Sequence, residues 1–351
     1  MPNKILEKLY TGNSLSSEES YSIFSKVITG KIDSNLITSL LISLKIKGET
    51  PIEISGAVKA LKENAIHLPI QNQVVSDSCG TGGSGKNTIN ISTMVAFVLA
   101  EFGLPIAKHG NRSISSQCGS ADILESLGIH INLTPNQASN CLHKTNFTFL
   151  FAPDYHPGVK HVMPVRNTLQ TRTIYNLLGP LINPASPKYQ LMGIYSKGLC
   201  FAAAESLRLS GCLGAMVVNS GGYDEITLHN QTDVAELSDS VISEYQITHQ
   251  DFGLPKTKPS DISGQTPDVN KQILQDVLSG NINHGKNRAI AYTISANASA
   301  LLKINKKTNN LKDGAEMIMS LLESGKCIDK VKQVAELTQV DNLTKEHCVE
   351  R

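Results

Sequence analysis

The stretch Asp77-Ser78-Cys79-Gly80-Thr81-Gly82-Gly83-Ser84-Gly85-Lys86-Asn87-Thr88-Ile89-Asn90-Ile91-Ser92-Thr93 sets four glycines within six residues ahead of a run of hydroxyl and amide side chains. Glycine lets backbone N–H groups close on an anion without a Cβ in the way, and successive amides form a concave positive nest. Upstream, Val74-Val75 reads as the end of a buried strand; downstream, Met94 to Phe102 reads as a helix. That order presents the loop amides where a helix N-terminus adds positive potential. The reading is a phosphorylated small molecule held by an α/β fold.

Two named phosphate motifs fit this loop incompletely. Gly80, Gly82 and Gly85 satisfy G-x-G-x-x-G, yet the next strand, around Leu104 to Ala107, runs into Lys108-His109 where a dinucleotide fold places an acid for the ribose. Gly80 to Lys86 satisfies G-x-x-x-x-G-K, yet Asn87 stands at the Ser/Thr position and no apolar strand ends in a second metal-binding Asp. Cationic Lys108 instead fits a further phosphate.

Outward from the loop, short apolar runs alternate with helical segments. Thr134-Pro135-Asn136-Gln137 opens a capped helix, Phe147 to Phe151 and Tyr189 to Tyr195 read as strands, Leu199 to Leu209 as a helix, and Ala215 to Val218 as a further strand. This alternation predicts a mainly parallel central sheet flanked by helices. Ligands in such sheets sit beyond the carboxyl ends of the strands, where the glycine-rich loop, Lys108-His109, the segment after Phe151 and Gly221-Gly222 converge. Leu254 to Asp268 is the most loop-like late segment.

Before the loop the chain reads as helices. Ser16-Ser17-Glu18-Glu19 is a capping box for a helix ending at Gly30, Asp33 caps a second ending at Gly48, and Thr50-Pro51-Ile52-Glu53 opens a third. Leu36, Leu40, Leu41 and Leu44 give the second helix an apolar stripe suited to a core or a subunit interface. The fold class is therefore α/β with a separate small all-helical domain: residues 1–70 small and helical, completed by helices around 160–185, and residues 71–351 large and α/β.

At 351 residues the chain exceeds the usual size of one compact core, which fits this division. Trp is absent and aromatics are 5%, leaving few stacking platforms for single-stranded nucleic acid, and a net charge of +1 gives no footprint for nucleic acid or an anionic membrane. Seven cysteines, scattered and without a C-x-x-C pair, speak against a disulfide framework or a zinc site; Cys79 touches the glycine-rich loop. Met1 to Tyr10 lacks an apolar signal core and no later run approaches membrane length, so the expected location is cytoplasmic.

Further blocks carry chemistry. Lys108-His109-Gly110-Asn111-Arg112 sets two cations, an imidazole and an amide around a glycine. After Phe151 come Ala152-Pro153-Asp154-Tyr155-His156-Pro157, then Arg166, then Arg172-Thr173-Ile174-Tyr175-Asn176-Leu177-Leu178-Gly179-Pro180-Leu181-Ile182-Asn183-Pro184. Arg166 offers a planar fork to a carboxylate, and the adjacent Asp224-Glu225 pair suits Mg²⁺ held by few carboxylates plus substrate phosphates and water.

In order and spacing, GTGG, NIST, KHGNR, GSAD (Gly119 to Asp122), HP, the arginine of VMPVR, RT-x-x-NLLGPL-x-NPA and the closing Gly222-Tyr223-Asp224-Glu225 resemble the anthranilate phosphoribosyltransferase family over most of the chain. The resemblance implies transfer of phosphoribosyl from 5-phosphoribosyl 1-diphosphate to anthranilate in tryptophan biosynthesis. It implies a donor site at Gly80, Thr81, Gly82, Gly83, Ser84, Thr88, Asn90, Ser92, Thr93, Lys108 and Ser120, with Lys108 stabilising the transition state. Gly80, His109, Asn111, His156, Arg166 and Gly179 would line the anthranilate site. Ser92, Asp224 and Glu225 would hold one or two Mg²⁺ ions per subunit, and the helical domain would make a homodimer. Pyrimidine nucleoside phosphorylases share this architecture, but the KHGNR and NLLGPL blocks speak against them, as near-zero charge does against a nucleic-acid-binding relative. Two departures stand out. The family continues GTGG with Asp where this chain has Ser84, and it carries Lys/Ser where this chain has Gln117-Cys118.

Overall fold

A computed structural model describes residues 2–70, 73–112 and 118–349, with side chains described to residue 339. Gln117 lies outside the described residues. The chain opens on α1 (Pro2–Tyr10), α2 (Ser17–Ile28), α3 (Ser34–Lys47) and α4 (Pro51–Glu63). Their starts follow from their caps. The Ser16 hydroxyl accepts from Glu19 N–H while the Glu19 carboxylate accepts from Ser16 N–H; Thr50 and Glu53 repeat the exchange, and Asp33 accepts from Asn35 and Leu36 N–H.

Glu53 does more than cap. Fully buried, it accepts from Leu15 N–H at 2.9 Å through Oε1 and from Lys47 Nζ at 2.8 Å through Oε2, so one carboxylate joins the α1–α2 loop, the end of α3 and the start of α4. Leu40, Leu41 and Leu44 of α3 are buried with Leu6, Phe24, Val27, Ile54 and Leu61, whereas Leu36 only packs against this cluster.

The remaining elements are β1 (Ser76–Gly80), α5 (Ile91–Glu101), β2 (Ile106–Gly110), α6 (Ser120–Ser126), α7 (Pro135–Thr145), β3 (Phe147–Phe151), α8 (Ala152–Tyr155), α9 (Met163–Leu169), α10 (Tyr175–Leu181), β4 (Tyr189–Gly193), α11 (Cys200–Leu209), β5 (Gly214–Asn219), β6 (Thr232–Ser238), β7 (Val241–Ile247), α12 (Pro267–Leu278), α13 (Gly285–Ile304), α14 (Leu311–Glu323) and α15 (Cys327–Val349). The sheet order is β3-β2-β1-β4-β5-β6-β7. Strands β1 to β5 pair in parallel and β6 and β7 add an antiparallel hairpin. The chain runs outward from β1 to β3, then returns to the other side of β1 for β4. The β1–β4 boundary is therefore the switch point at which α/β sheets open a ligand crevice. Gly80 and Gly193 face each other there.

One apolar cluster joins α1–α4 to Val165 of α9, Leu177 and Leu178 of α10, α11 and one face of β4–β6. A second fills the other face around α5, α13 and α14. Phe97 and Phe147 stack there at 4.5 Å.

Several expected boundaries move. The first strand is Ser76–Gly80, while Val74 is 51% exposed. Three of its buried polar side chains meet partners: the Ser76 hydroxyl donates to Asn305 Oδ1, Asp77 Oδ2 accepts from Asn183, and Cys79 accepts from Gln190. Helix α5 starts at Ile91 rather than Met94, which puts Ser92 and Thr93 in its first turn, and β2 runs on through Lys108 and His109.

Candidate active site

The glycine-rich loop leaves β1 over the switch point. Thr81 N–H donates to Gly193 O at 2.9 Å, and its hydroxyl accepts from Tyr195 N–H. Gly82, Gly83 and Gly85 have φ of 65°, 68° and 72°, the left-handed region that disfavours a Cβ. The descending limb is held by the segment before α12: Gly264 N–H donates to Asn87 O, Ile89 N–H donates to Ile262 O, and Thr88 pairs with Ser263. Half-buried Ser84 accepts from Lys86 N–H.

Asp224 closes onto this loop, its Oδ2 accepting from Gly82 N–H at 2.8 Å. The approach requires glycine on both strands: a Cβ at Gly80 would sit 2.6 Å from Asp224 Oδ2, and one at Gly193 would overlap the Asp224 carbonyl. Beside it, half-buried Glu225 has a sealed Oε1 without a partner. Burial, then the neighbouring Asp224, pushes its carboxyl up to about 8 against a Thr88 hydrogen bond. Ser92, Asp224, Glu225 and Asn297 line a small cavity of about 10 Å³, room for one water-sized group. Hard oxygen donors, one of them orphaned, around such a space fit a small divalent cation whose other ligands come from substrate and water.

Lys108 lies beneath, 2% exposed, with Nζ donating to Ser78 O at 2.7 Å and Ser92 Oγ at 3.0 Å. Burial lowers its pKa and Asp77 opposes that shift. Asp77 is itself fully buried; burial pushes it up to about 6 despite Lys108 and the Asn183 amide. Asn183 Nδ2 bridges Asp77 Oδ2 and Ala107 O, tying β1 to β2 under the site.

On the other side, His109 Nδ1 lies 3.1 Å from Gly179 O of α10. A carbonyl only accepts, so Nδ1 carries the proton and the partnerless Nε2 presents a lone pair. The His156 ring meets it edge-on at 5.1 Å. Burial holds His109 down to about 3, helped by His156, and His156 down to about 4. Both are neutral at pH 7. Their sign follows: the folded protein resists protonation, so each contributes stability that is complete above pH 6.5 and is lost as pH falls toward its folded value. Relative to His156→Asn, the wild type is expected to lose roughly 1.4 kcal/mol per pH unit between pH 6.5 and 4. Parallel urea-denaturation profiles against pH would contradict it.

Half-buried Arg166 has no carboxylate partner among the described residues; it reaches Met163 Sδ and lies 5.7 Å over the Tyr175 ring, whose buried hydroxyl is also partnerless. Burial lowers its pKa. Tyr175 begins α10 and Gly179 lies within it, so one short helix links Arg166 to His109.

The remaining expected residues divide. Asn90 precedes α5 and donates to Cys118 O while its Oδ1 stays buried and partnerless, as does the Thr93 hydroxyl. The Ser120 hydroxyl donates to Asn111 O, and exposed Asn111 accepts from Arg112 N–H. The basic block is not one exposed cluster: Lys108 and His109 are buried in β2, while Arg112 pairs with Asp122 and Glu125. Cys79 is buried and its thiol is pushed well above the usual range, so it is no nucleophile.

Three contributors were not read from the sequence. Asp77 and Asn183 form the buried tie, and Arg172 donates to Gly83 O while stacking 4.2 Å over Tyr195. Asp77 falls in a strand with no apolar pattern, and Arg172 and Asn183 stood inside a quoted motif block without a role assigned to either.

Residues 3–65 match the model of the glycosyl transferase family helical bundle domain and residues 72–328 that of the same family's a/b domain. Anthranilate phosphoribosyltransferase of Pseudoalteromonas translucida is 45% identical over 95% of this chain and 93% of its own. The Tolumonas auensis protein of that name is 46% identical over 95% and 98%. Among solved structures, the Thermus thermophilus anthranilate phosphoribosyltransferase superposes with a TM-score of 0.90 at 32% identity, covering 95% of this chain and 99% of that one. The Saccharomyces cerevisiae enzyme in complex with PRPP and Mg superposes at 0.88 with 26% identity, covering 97% and 98%. With a helical bundle before an α/β domain, a glycine cradle at the switch point, and relatives aligned along nearly their whole length, the chain belongs to the anthranilate phosphoribosyltransferase family.

Proposed function

We propose that the protein transfers the 5-phosphoribosyl group of 5-phosphoribosyl 1-diphosphate to the amino group of anthranilate, releasing diphosphate, in tryptophan biosynthesis. The observation that carries this reading is the pairing of a glycine cradle and acid pair at the β1–β4 boundary with an unpaired Arg166 tied through α10 to neutral His109. Yeast relatives in complex with PRPP and Mg and with 4-fluoroanthranilate support it.

The aryl amine is already neutral at pH 7, so no strong base precedes its attack. Arg166 holds the carboxylate and turns the amine toward the anomeric carbon, whose bond to diphosphate breaks as the new C–N bond forms, and the nitrogen then sheds its extra proton to the departing diphosphate or to water. His109 and His156, uncharged, line the path without competing for the carboxylate. The turn Gly80, Thr81, Gly82 and Gly83 cradles the phosphate oxygens, the Gly82 amide turning to them as it leaves Asp224, joined by Ser84, Thr88, Asn90, Thr93 and Ser120. Lys108 donates into Ser92 Oγ, which leaves the Ser92 proton free to point at the donor. Ser92, Asp224 and Glu225 would hold one or two Mg²⁺ ions, which would supply charge neutralisation for the leaving diphosphate. Residues 1–70, with the helices around 160–185, form the smaller domain and a homodimer contact, residues 71–351 the donor-binding domain. Among the described residues no helix is long and apolar enough to cross a membrane, and the reaction is assigned to the cytoplasm.

The direct test follows the loss of anthranilate fluorescence with donor and Mg²⁺. Arg166→Ala is expected to remove about 1.5–3 kcal/mol of charge-assisted binding, raising the anthranilate KM roughly 10- to 100-fold with little change in the donor KM. An unchanged anthranilate KM removes Arg166 from the site.

Ser84 leaves the loop without an acid that would draw a further cation and repel the donor when metal is scarce. The wild type is therefore expected to show little inhibition by excess magnesium. Ser84→Asp should steepen the dependence of initial rate on Mg²⁺ or add an inhibitory limb, and superimposable curves would show that position 84 does not sense the metal.

A further inference from the structure

We propose that Asn297 is the positioning residue that holds the Asp224-Glu225 pair in place and thereby sets affinity for the metal–diphosphate unit. The inference rests on the proposed metal role of that pair.

Asn297 sits 2% exposed on α13, an element distant in sequence from the acids. Its Oδ1 accepts from Ile226 N–H at 3.0 Å, and its Nδ2 donates to Ile226 O and Thr293 O, both at 2.8 Å. The amide therefore grips both backbone groups of the residue next to Glu225, and all three interactions fix one orientation. Rotated by 180°, it would set Nδ2 against a donor and Oδ1 against two carbonyls.

The clamp is one of two anchors. Asp224 is pinned by Gly82 N–H and by close approach to Gly80 and Gly193, and Ile226 by Asn297. Glu225 hangs between them with a partnerless Oε1 beside a cavity that Asn297 also lines. Among the described residues no other side chain hydrogen-bonds the Ile226 peptide, so loss of the amide leaves the acid segment on the α13 side to the packing of the buried Ile226 side chain. Groups that orient metal-holding carboxylates typically govern metal affinity by 10- to 100-fold.

The test uses Asn297→Leu, nearly isosteric but unable to hydrogen-bond, and Asn297→Ser as a smaller variant should the first not fold. Calorimetric titration of Mg²⁺ into protein with inorganic diphosphate is the readout independent of turnover; initial rate against Mg²⁺ is the second. About tenfold weaker magnesium diphosphate binding and a matching rise in half-saturating Mg²⁺, with the anthranilate KM unchanged, is expected. Wild-type titrations accompanied only by a lower melting temperature would make Asn297 a core residue and overturn the inference. Asp224→Asn/Glu225→Gln run in parallel separates the two failures. If that double variant loses the complex and the Asn297 variants do not, the positioning role alone falls. If the double variant binds like wild type, the metal reading falls and takes the inference with it.

Discussion

Replacing Asp224 with Asn and Glu225 with Gln is expected to lower turnover by about three orders of magnitude, several kcal/mol of lost charge stabilisation at the leaving group. The substitutions keep shape and volume. Glu225 carries a desolvated carboxyl, raised to about 8, so folding does not gain from its charge and the neutral amide should be tolerated. Asp224 loses part of its interaction with Gly82 N–H, but Asn retains an acceptor for that bond. A melting temperature near wild type with a collapsed rate that excess Mg²⁺ fails to restore is the predicted pattern. Wild-type activity at low magnesium would reduce the pair to a surface turn.

A change far from the chemistry should cost as much in stability. Glu53→Ala removes the carboxylate that accepts from Leu15 N–H, Lys47 Nζ and both donors of Thr50. Lys47, whose side chain is only 9% exposed, loses the carboxylate at 2.8 Å and is left with Gly48 O and Ser14 Oγ as hydrogen-bond acceptors. Breaking a buried pair this way costs about 3–5 kcal/mol, much of it the penalty on the stranded partner. Glu53→Gln should recover part of that, because it keeps an acceptor for Leu15. Chemical denaturation of both variants checks the order; equal stability of wild type and Glu53→Ala would show that the carboxylate carries no net weight.

The helices before residue 65 were legible because their signals are local: Ser16, Asp33 and Thr50 announce α2, α3 and α4 by side-chain chemistry that acts within three residues. Strand β3 was equally plain, four apolar residues and Thr148 buried on both faces. Strand β1 was not. Ser76, Asp77, Ser78 and Cys79 have no apolar pattern, and their burial depends on Asn305, Asn183 and Gln190, more than a hundred residues away in sequence. The antiparallel β6–β7 hairpin went unread for a related reason: along the edge strand most side chains are exposed or half-buried, which leaves a weak period-two signal.

The glycine cradle and the acid pair could be picked out as separate motifs. Their meeting could not, because the Gly82–Asp224 bond spans 142 residues and depends on Gly80 and Gly193 leaving room. Asn297 is less legible still, a single amide in a run of small helical residues, identified by what its amide grips.

The Gly82–Asp224 bond also bears on which anions the protein can ignore. Free phosphate, sulfate and nucleotide tails surround any such loop in a cell, and an open nest of amides would take them indiscriminately. Here one of the amides already faces an internal anion at 2.8 Å. A bare competitor must break that bond while approaching a like charge, with nothing offered to the displaced carboxylate. In the proposed donor site, a diphosphate arriving with its own divalent cation would bring that carboxylate a stronger partner than an amide. On that reading the loop is guarded by its own counterfeit ligand, and the penalty would fall on every visitor that comes without metal.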